Sequence, residues 1–378
     1  AQDHDLMLRI SEIPDLRVAH IPHVLYHWRI WSESFSQTPA SSLKSEASGL
    51  KAVAEVVDRR GWPASVGLAT GTPYNYRPRF EQTLPLPVVK VIIPTRDRVD
   101  LLKTCVRSLE RRTDGVDIHL VVVDNGSVEK ATATFLSKLS EDDAVSVIRI
   151  DDEFNYSHLC NEGARVGPDT DYLLFLNNDV EIKGRRWLQQ MTGWLAFDSG
   201  VCAVGAKLLR RKGKIQHAGV VLGLGGVAGH YADGEPNQPK LNSHHDQVRE
   251  VTAVTAAMML VRTHDFELVG GFNEDLPLVY QDVDLCMRLS EETGGSVLYD
   301  PTYPAVHLGS ASRKSHEPIQ TYGVFRFQML WGDRIQAGDA YFNPHLSLQI
   351  PDLSMDGIPA DESLFLTRFQ PRISGPKQ

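Results

Sequence analysis

Val88–Pro94 reads VVKVIIP, a short and almost unbroken apolar run of the kind expected for a strand covered on both faces. Three more runs of this kind follow: IHLVVVDNGS at Ile118–Ser127, VSVIRI at Val145–Ile150 and DYLLFLNNDVEI at Asp171–Ile182. Helical patterns lie between them, from about Asp100 to Arg112, again after Ser127, and near His158–Arg165. Strands alternating with helices predict βαβ units and a parallel sheet, an α/β fold. In such sheets ligands bind beyond the carboxyl ends of the strands, where this chain places Thr95–Arg98, Asp124–Ser127 and Asn177–Asp179. Upstream the texture differs. Ser41–Arg60 predicts one amphipathic helix, with Leu43, Ala47, Leu50, Val53, Ala54 and Val57 at helical spacing and Gly61 and Pro63 as its stop. A connector rich in Gly, Pro and Tyr, GTPYNYRPRFEQTLPLP, then marks a boundary before Val88.

A chain of 378 residues is long enough for two domains, or for one large α/β domain with appendages. No run of 18 apolar residues exists, so a spanning helix is not expected. The four cysteines lack CxxC spacing, which argues against a zinc site or a disulfide framework and fits a reducing cytosol. A net charge of −9 disfavours nucleic acid as a partner. The basic clusters Lys183–Arg186 and Arg210–Lys214 read first as solvated faces.

One phrase occurs twice. Gln2, Asp3, Asp5, Leu6, Arg9, Ser11 and Glu12 recur in the same order and spacing as Gln281, Asp282, Asp284, Leu285, Arg288, Ser290 and Glu291. Val18–Pro22 keeps the same offset from Val297–Pro301, and one residue of slippage sets His27 opposite His307. A repeat of this length points to a duplicated architecture.

Four places carry candidate chemistry. Asp124 before Asn125-Gly126 suits a turn, and equally a carboxylate that accepts hydrogen bonds from a nucleotide. Asn177-Asn178-Asp179 offers hard oxygen ligands of the kind Mg²⁺ or Mn²⁺ takes, or a turn or cap. Asp282 stands in the first turn of a predicted helix, where the dipole favours an acid. Asp284 already has Arg288 at i+4, so Asp282 is left for another task such as a general base. His307 follows an apparent strand and precedes Gly309, Ser310, Ser312 and Arg313, small, polar and basic company that suits phosphate.

Taken in order, VIIPTRDR, VVDNGS, FNYS, LLFLNNDVEI, GAKLL, QHAGVVLGLGGVAGH, VGGFNEDL, YQDVDLCMRL and HLGSASR resemble family-2 inverting glycosyltransferases of bacterial O-antigen, capsule and rhamnan type. DAYFNPHLSL resembles the tail of such modules, so the likeness runs from Val88 to Leu348. The resemblance implies the GT-A fold, a Rossmann-like, mostly parallel sheet flanked by helices, with a helical and irregular N-terminal appendage. It implies that Thr95, Arg96, Asp97 and Asp124 cradle the nucleoside, with Asn177 and Asn178 beside them and Arg313 on phosphate. Asp179, with His307, would hold Mn²⁺ or Mg²⁺, and Asp282 would be the catalytic base. The motif departs from the family pattern at two points: Asn177 stands for the first acid of DxD, and Gln281 for an acid before Asp282. The implied partners are a dTDP- or UDP-linked sugar and a growing, lipid-linked glycan, at the inner face of a bacterial membrane on the cytoplasmic side.

On this reading residues 1–40 are the closing remnant of a preceding module, 41–87 a helical linker and connector, 88–348 the transferase domain and 349–378 a tail. The chain is then expected to be a piece of a longer tandem enzyme, with Asp3 and His27 inert. Two alternatives compete: a catalytically silent glycan-binding scaffold, and a nucleotidyltransferase. The second would want a glycine-rich phosphate loop that PTRDRVD lacks.

Overall fold

The computed structural model describes residues 1–14, 16–19, 21, 25–26, 39–69, 72–238, 244–308 and 317–349. Two helices, α1 (Gln2–Ile10) and α2 (Pro39–Arg59), precede a hairpin of β1 (Ala64–Leu68) and β2 (Tyr76–Phe80). The four apolar runs then become strands in alternation with helices: β3 (Val88–Thr95), α3 (Val99–Arg112), β4 (Asp117–Asp124), α4 (Lys130–Leu139), β5 (Val145–Arg149), α5 (Tyr156–Arg165) and β6 (Tyr172–Leu176). There follow β7 (Val180–Glu181), α6 (Trp187–Phe197), β8 (Val201–Leu209), β9 (Ile215–His217), β10 (Val220–Leu222), β11 (Ala228–His230), β12 (Arg249–Val251), β13 (Met258–Arg262), α7 (Thr263–Leu268), α8 (Gln281–Thr293), β14 (Ser296–His307) and α9 (Glu317–Ala337). No described helix is long and apolar enough to cross a membrane.

One sheet holds ten strands in the order β12-β14-β8-β13-β6-β3-β4-β5, with β7 and β9 on its margins. From β6 to β5 every pairing is parallel, while β13 is antiparallel to both β6 and β8. The unbroken apolar runs follow from burial on two sides. Val91 and Ile93 enter one core with α3 and α6, and Ile92 between them enters the other with α5 and α8. The chain steps from β3 outward to β4 and β5, then returns to the opposite side of β3 as β6. That reversal opens a crevice at the carboxyl ends of β3 and β6.

Two local differences from the sequence reading matter. The fourth strand ends before Asn177–Asp179, which turn the chain as expected, with Val180 N–H on Asn177 O (3.2 Å), but Val180–Glu181 then form a second short strand, β7, paired with the end of β14, His307 opposite Val180. The turn brings Asp179 to His307. The connector holds a hairpin that local composition did not predict. Phe80 packs among Trp62, Trp194 and Phe197, and the Gln189 and Gln190 amides donate to Phe80 O and Pro78 O. Arg77 of the hairpin also reaches Asp246 (3.2 Å). Residues 350–378, Arg313 and His27 lie outside the described residues.

Candidate active site

Thr95 and Asp124 end neighbouring strands in register, as the sequence places them. Asp124 is buried; Oδ1 accepts the Ser127 N–H (3.0 Å), forming the turn, and Oδ2 accepts from Arg149 Nη1 (3.0 Å). Asp97 accepts the backbone N–H groups of Val128 and Glu129 (2.9 and 2.8 Å), so it ties the β3 loop to the start of α4. Arg96 is exposed beside them. Across the crevice Asn178 Nδ2 donates to Thr95 Oγ1 (2.8 Å), which fixes the β6 turn against the end of β3.

On the far side of that turn Asp179 Oδ1 lies 2.8 Å from His307 Nε2. The Leu308 N–H holds the Asp179 carbonyl (2.7 Å). Among the described residues no third His, Cys, Asp or Glu joins this pair. A carboxylate oxygen and an imidazole nitrogen so close together fit two adjacent ligand positions of one divalent cation, the remaining ones being open to ligand oxygens.

Asp282 sits in the first turn of α8, but the N-cap is Tyr280, which turns the chain at φ 62°. Its carboxylate accepts the N–H of Ala256 (3.1 Å) and of Val283 (3.0 Å), which fix its orientation. Asp284 is engaged elsewhere, by Arg288 (2.8 Å) and by Trp331 Nε1 (2.9 Å). Asp282, Gln281, Asn177 and His307 line one cleft of about 290 Å³. The β6 turn thus links the two places: Asn178 meets Thr95 at the crevice end, Asp179 meets His307, and Asn177 and His307 line the cleft with Asp282.

Sequence reasoning missed two supports of this cleft. Tyr156, within the quoted FNYS motif, is half-buried with its hydroxyl 3.1 Å from Ala256 O and 3.2 Å from Asn177 Oδ1, so it joins the segment that holds Asp282 to the β6 turn. His217 is fully buried; Nδ1 lies 2.9 Å from His230 Nδ1 and Nε2 accepts the Thr255 N–H (3.4 Å), which places its proton on Nδ1. Burial, then the positive fields of His230, Arg249 and His307, hold the His217 imidazole well below the usual range. The unfolded chain therefore takes up a proton that the folded protein refuses. The resulting contribution to stability is present above about pH 6.5 and falls by about 1.4 kcal/mol per unit below it. Urea unfolding between pH 7 and 5 should show this slope, and His217→Gln should flatten it.

Residues 90–217 match the family model described as glycosyl transferase family 2. A family-2 glycosyltransferase domain therefore occupies at least that stretch of the chain. Uncharacterized protein y4gI of Sinorhizobium fredii is 35% identical over 361 residues, 93% of this chain and 39% of that protein. O-antigen biosynthesis protein RfbC of Myxococcus xanthus is 34% identical over 368 residues, 96% of this chain and 28% of its own. The chain thus spans well under half the length of either relative. Among solved structures, GalNAc-T7 with UDP, GalNAc and Mn²⁺ superposes with a TM-score of 0.51 at 15% identity, covering 66% of this chain and 50% of that one, a likeness of fold. The chain thus has the GT-A fold, with one antiparallel strand inserted after the parallel half of its sheet.

Proposed function

We propose that the protein is an inverting glycosyltransferase that moves a sugar from a dTDP- or UDP-linked donor to a hydroxyl of a growing bacterial surface glycan. The observation that carries the reading is the single cleft onto which Asn177, His307 and Asp282 open together. Thr95, Arg96, Asp97, Asp124, Asn177 and Asn178 bind the nucleotide sugar, Arg96 as the exposed cation for phosphate. Arg313, the other phosphate candidate, lies outside the described residues. Asp179 and His307 would hold Mn²⁺ or Mg²⁺, which when bound neutralises charge on a diphosphate. The GalNAc-T7 structure holds UDP with Mn²⁺, which is compatible with this donor class. Asp282 takes the proton of the acceptor hydroxyl as that oxygen bonds to the anomeric carbon. The bond from that carbon to the diphosphate oxygen breaks on the opposite face, and the pair of electrons leaves with the nucleoside diphosphate. One displacement inverts the configuration. NMR of the product should show the anomeric configuration opposite to the donor's; retention would refute the mechanism.

The acceptor of this reading is a lipid-linked glycan, which places the enzyme peripherally at the inner face of the membrane. RfbC is named for O-antigen biosynthesis, and that supports the glycan class. The module division rests on the repeat. In α8, Leu285 and Cys286 are fully buried, whereas their counterparts in α1, Leu6 and Met7, are 55% and 61% exposed. Leu43 and Ala47, predicted for the buried face of α2, are also exposed. The ion pairs nonetheless repeat: Arg9–Asp5 (3.0 Å) mirrors Arg288–Asp284 (2.8 Å), and Arg59–Glu12 on α2 mirrors Arg334–Glu291 on α9. Both α2 and α9 have 21 residues. This supports α1 and α2 together as the closing helices of a preceding transferase module whose sheet would cover the bare face. The full gene product should then carry a second nucleotide-binding half ahead of Asp3; its absence would refute the tandem reading.

A further inference from the structure

Gln281 precedes the base and is 7% exposed, yet its Oε1 is buried without a hydrogen-bond partner among the described residues. A buried acceptor left without a donor costs about 1–3 kcal/mol and calls for an explanation. Its backbone has no freedom to relieve it. Tyr280 fixes the entry to α8 at φ 62°, with its ring stacked on Phe327 at 4.9 Å between centroids. The side chain lines the same cleft as Asp282.

An amide oxygen takes a hydrogen bond only from a donor. At neutral pH a diphosphate or a carboxylate has almost none to give; a sugar hydroxyl has one. Consecutive residues at the head of α8 therefore present two acceptors to one cleft, the carboxylate of Asp282 and the amide of Gln281. We infer that the pair reads a vicinal diol on the acceptor sugar: Asp282 faces the attacking hydroxyl and Gln281 Oε1 accepts from the hydroxyl on the adjacent carbon. This inference rests on the glycosyltransferase reading and makes Gln281 a specificity-determining residue.

The test uses alkyl glycosides of rhamnose, mannose, galactose and glucose, titrated onto the full chain saturated with UDP and Mn²⁺. The glycoside that binds best is compared with its analogues deoxygenated one carbon at a time. For the unaltered protein one deoxygenation next to the reactive hydroxyl should weaken binding about 10-fold, the effect of one unmade hydrogen bond. In Gln281→Ala, and in Gln281→Met, which keeps the volume, parent and analogue should bind equally weakly while UDP affinity is unchanged. The inference is overturned if the variants discriminate as the parent protein does, if UDP affinity falls along with glycoside affinity, or if no glycoside binds a protein that binds UDP. If UDP does not bind, dTDP takes its place throughout; failure of both nucleotides to bind would instead overturn the glycosyltransferase reading.

Discussion

Asp282→Asn is expected to bind the nucleotide donor as well as the parent protein and to lose turnover by about 10²–10⁴-fold, the usual contribution of a general base. The amide keeps the shape of the carboxylate and one oxygen for the Ala256 N–H, and gives up only the acceptor of the adjacent Val283 N–H, so the fold is expected to survive. What it lacks is basicity. Asp284 cannot substitute, because Arg288 and Trp331 occupy its two oxygens. Thermal unfolding and donor titration of the variant separate chemistry from structure: unchanged turnover would remove Asp282 from the mechanism, and lost donor binding would recast it as a binding residue.

Asp246→Ala is expected to destabilise the fold by about 3–5 kcal/mol, the cost of stranding buried charge. Asp246 accepts from Thr72 Oγ1 (2.7 Å) and lies 3.4 Å from Lys207 Nζ and 3.2 Å from Arg77 Nη2. Both cations are nearly inaccessible, with side chains 2% and 9% exposed. Burial pushes the Lys207 ammonium down in spite of Asp246. Burial would raise the Asp246 carboxyl, and Thr72, Lys207 and Arg77 outweigh it and hold it below its ordinary value. This cluster joins the β1–β2 hairpin to β8 of the main sheet, so its loss frees the appendage as well as leaving two cations unpaired. Urea unfolding at pH 7 measures the change. Combining Asp246→Ala with Lys207→Met should recover part of the loss, because the second substitution removes one stranded charge; no recovery would place the effect elsewhere.

How much of this was legible in the sequence follows from which residues act locally. The strands β3, β4 and β6 were readable because burial on both faces demands continuous apolar runs, and the half-buried edge strand β5 because its run is rich in β-branched residues. Asp284–Arg288 was readable because i and i+4 meet on any helix. The hairpin of β1 and β2 was not: its Phe80 and Arg77 are explained by Trp194 and Asp246, more than a hundred residues away. The break after Leu176 was legible in Asn177–Asp179, whereas the pairing of β7 with β14 that follows it was not. Asp179 and His307 were each named from the sequence, whereas their 2.8 Å approach depends on that pairing. Tyr156 sits in a motif that was recognisable, but its place between Ala256 and Asn177 required the fold.

The central claim is that the crevice end at Thr95 and the cleft at Asp282 together form a nucleotide-sugar site. Calorimetric titration of the chain with UDP and with dTDP, each with and without Mn²⁺, tests it most directly. Saturable binding of one diphosphate, strengthened by the metal and weakened in Asp179→Ala, is the predicted result. A folded protein that binds neither nucleotide under any of these conditions would contradict it.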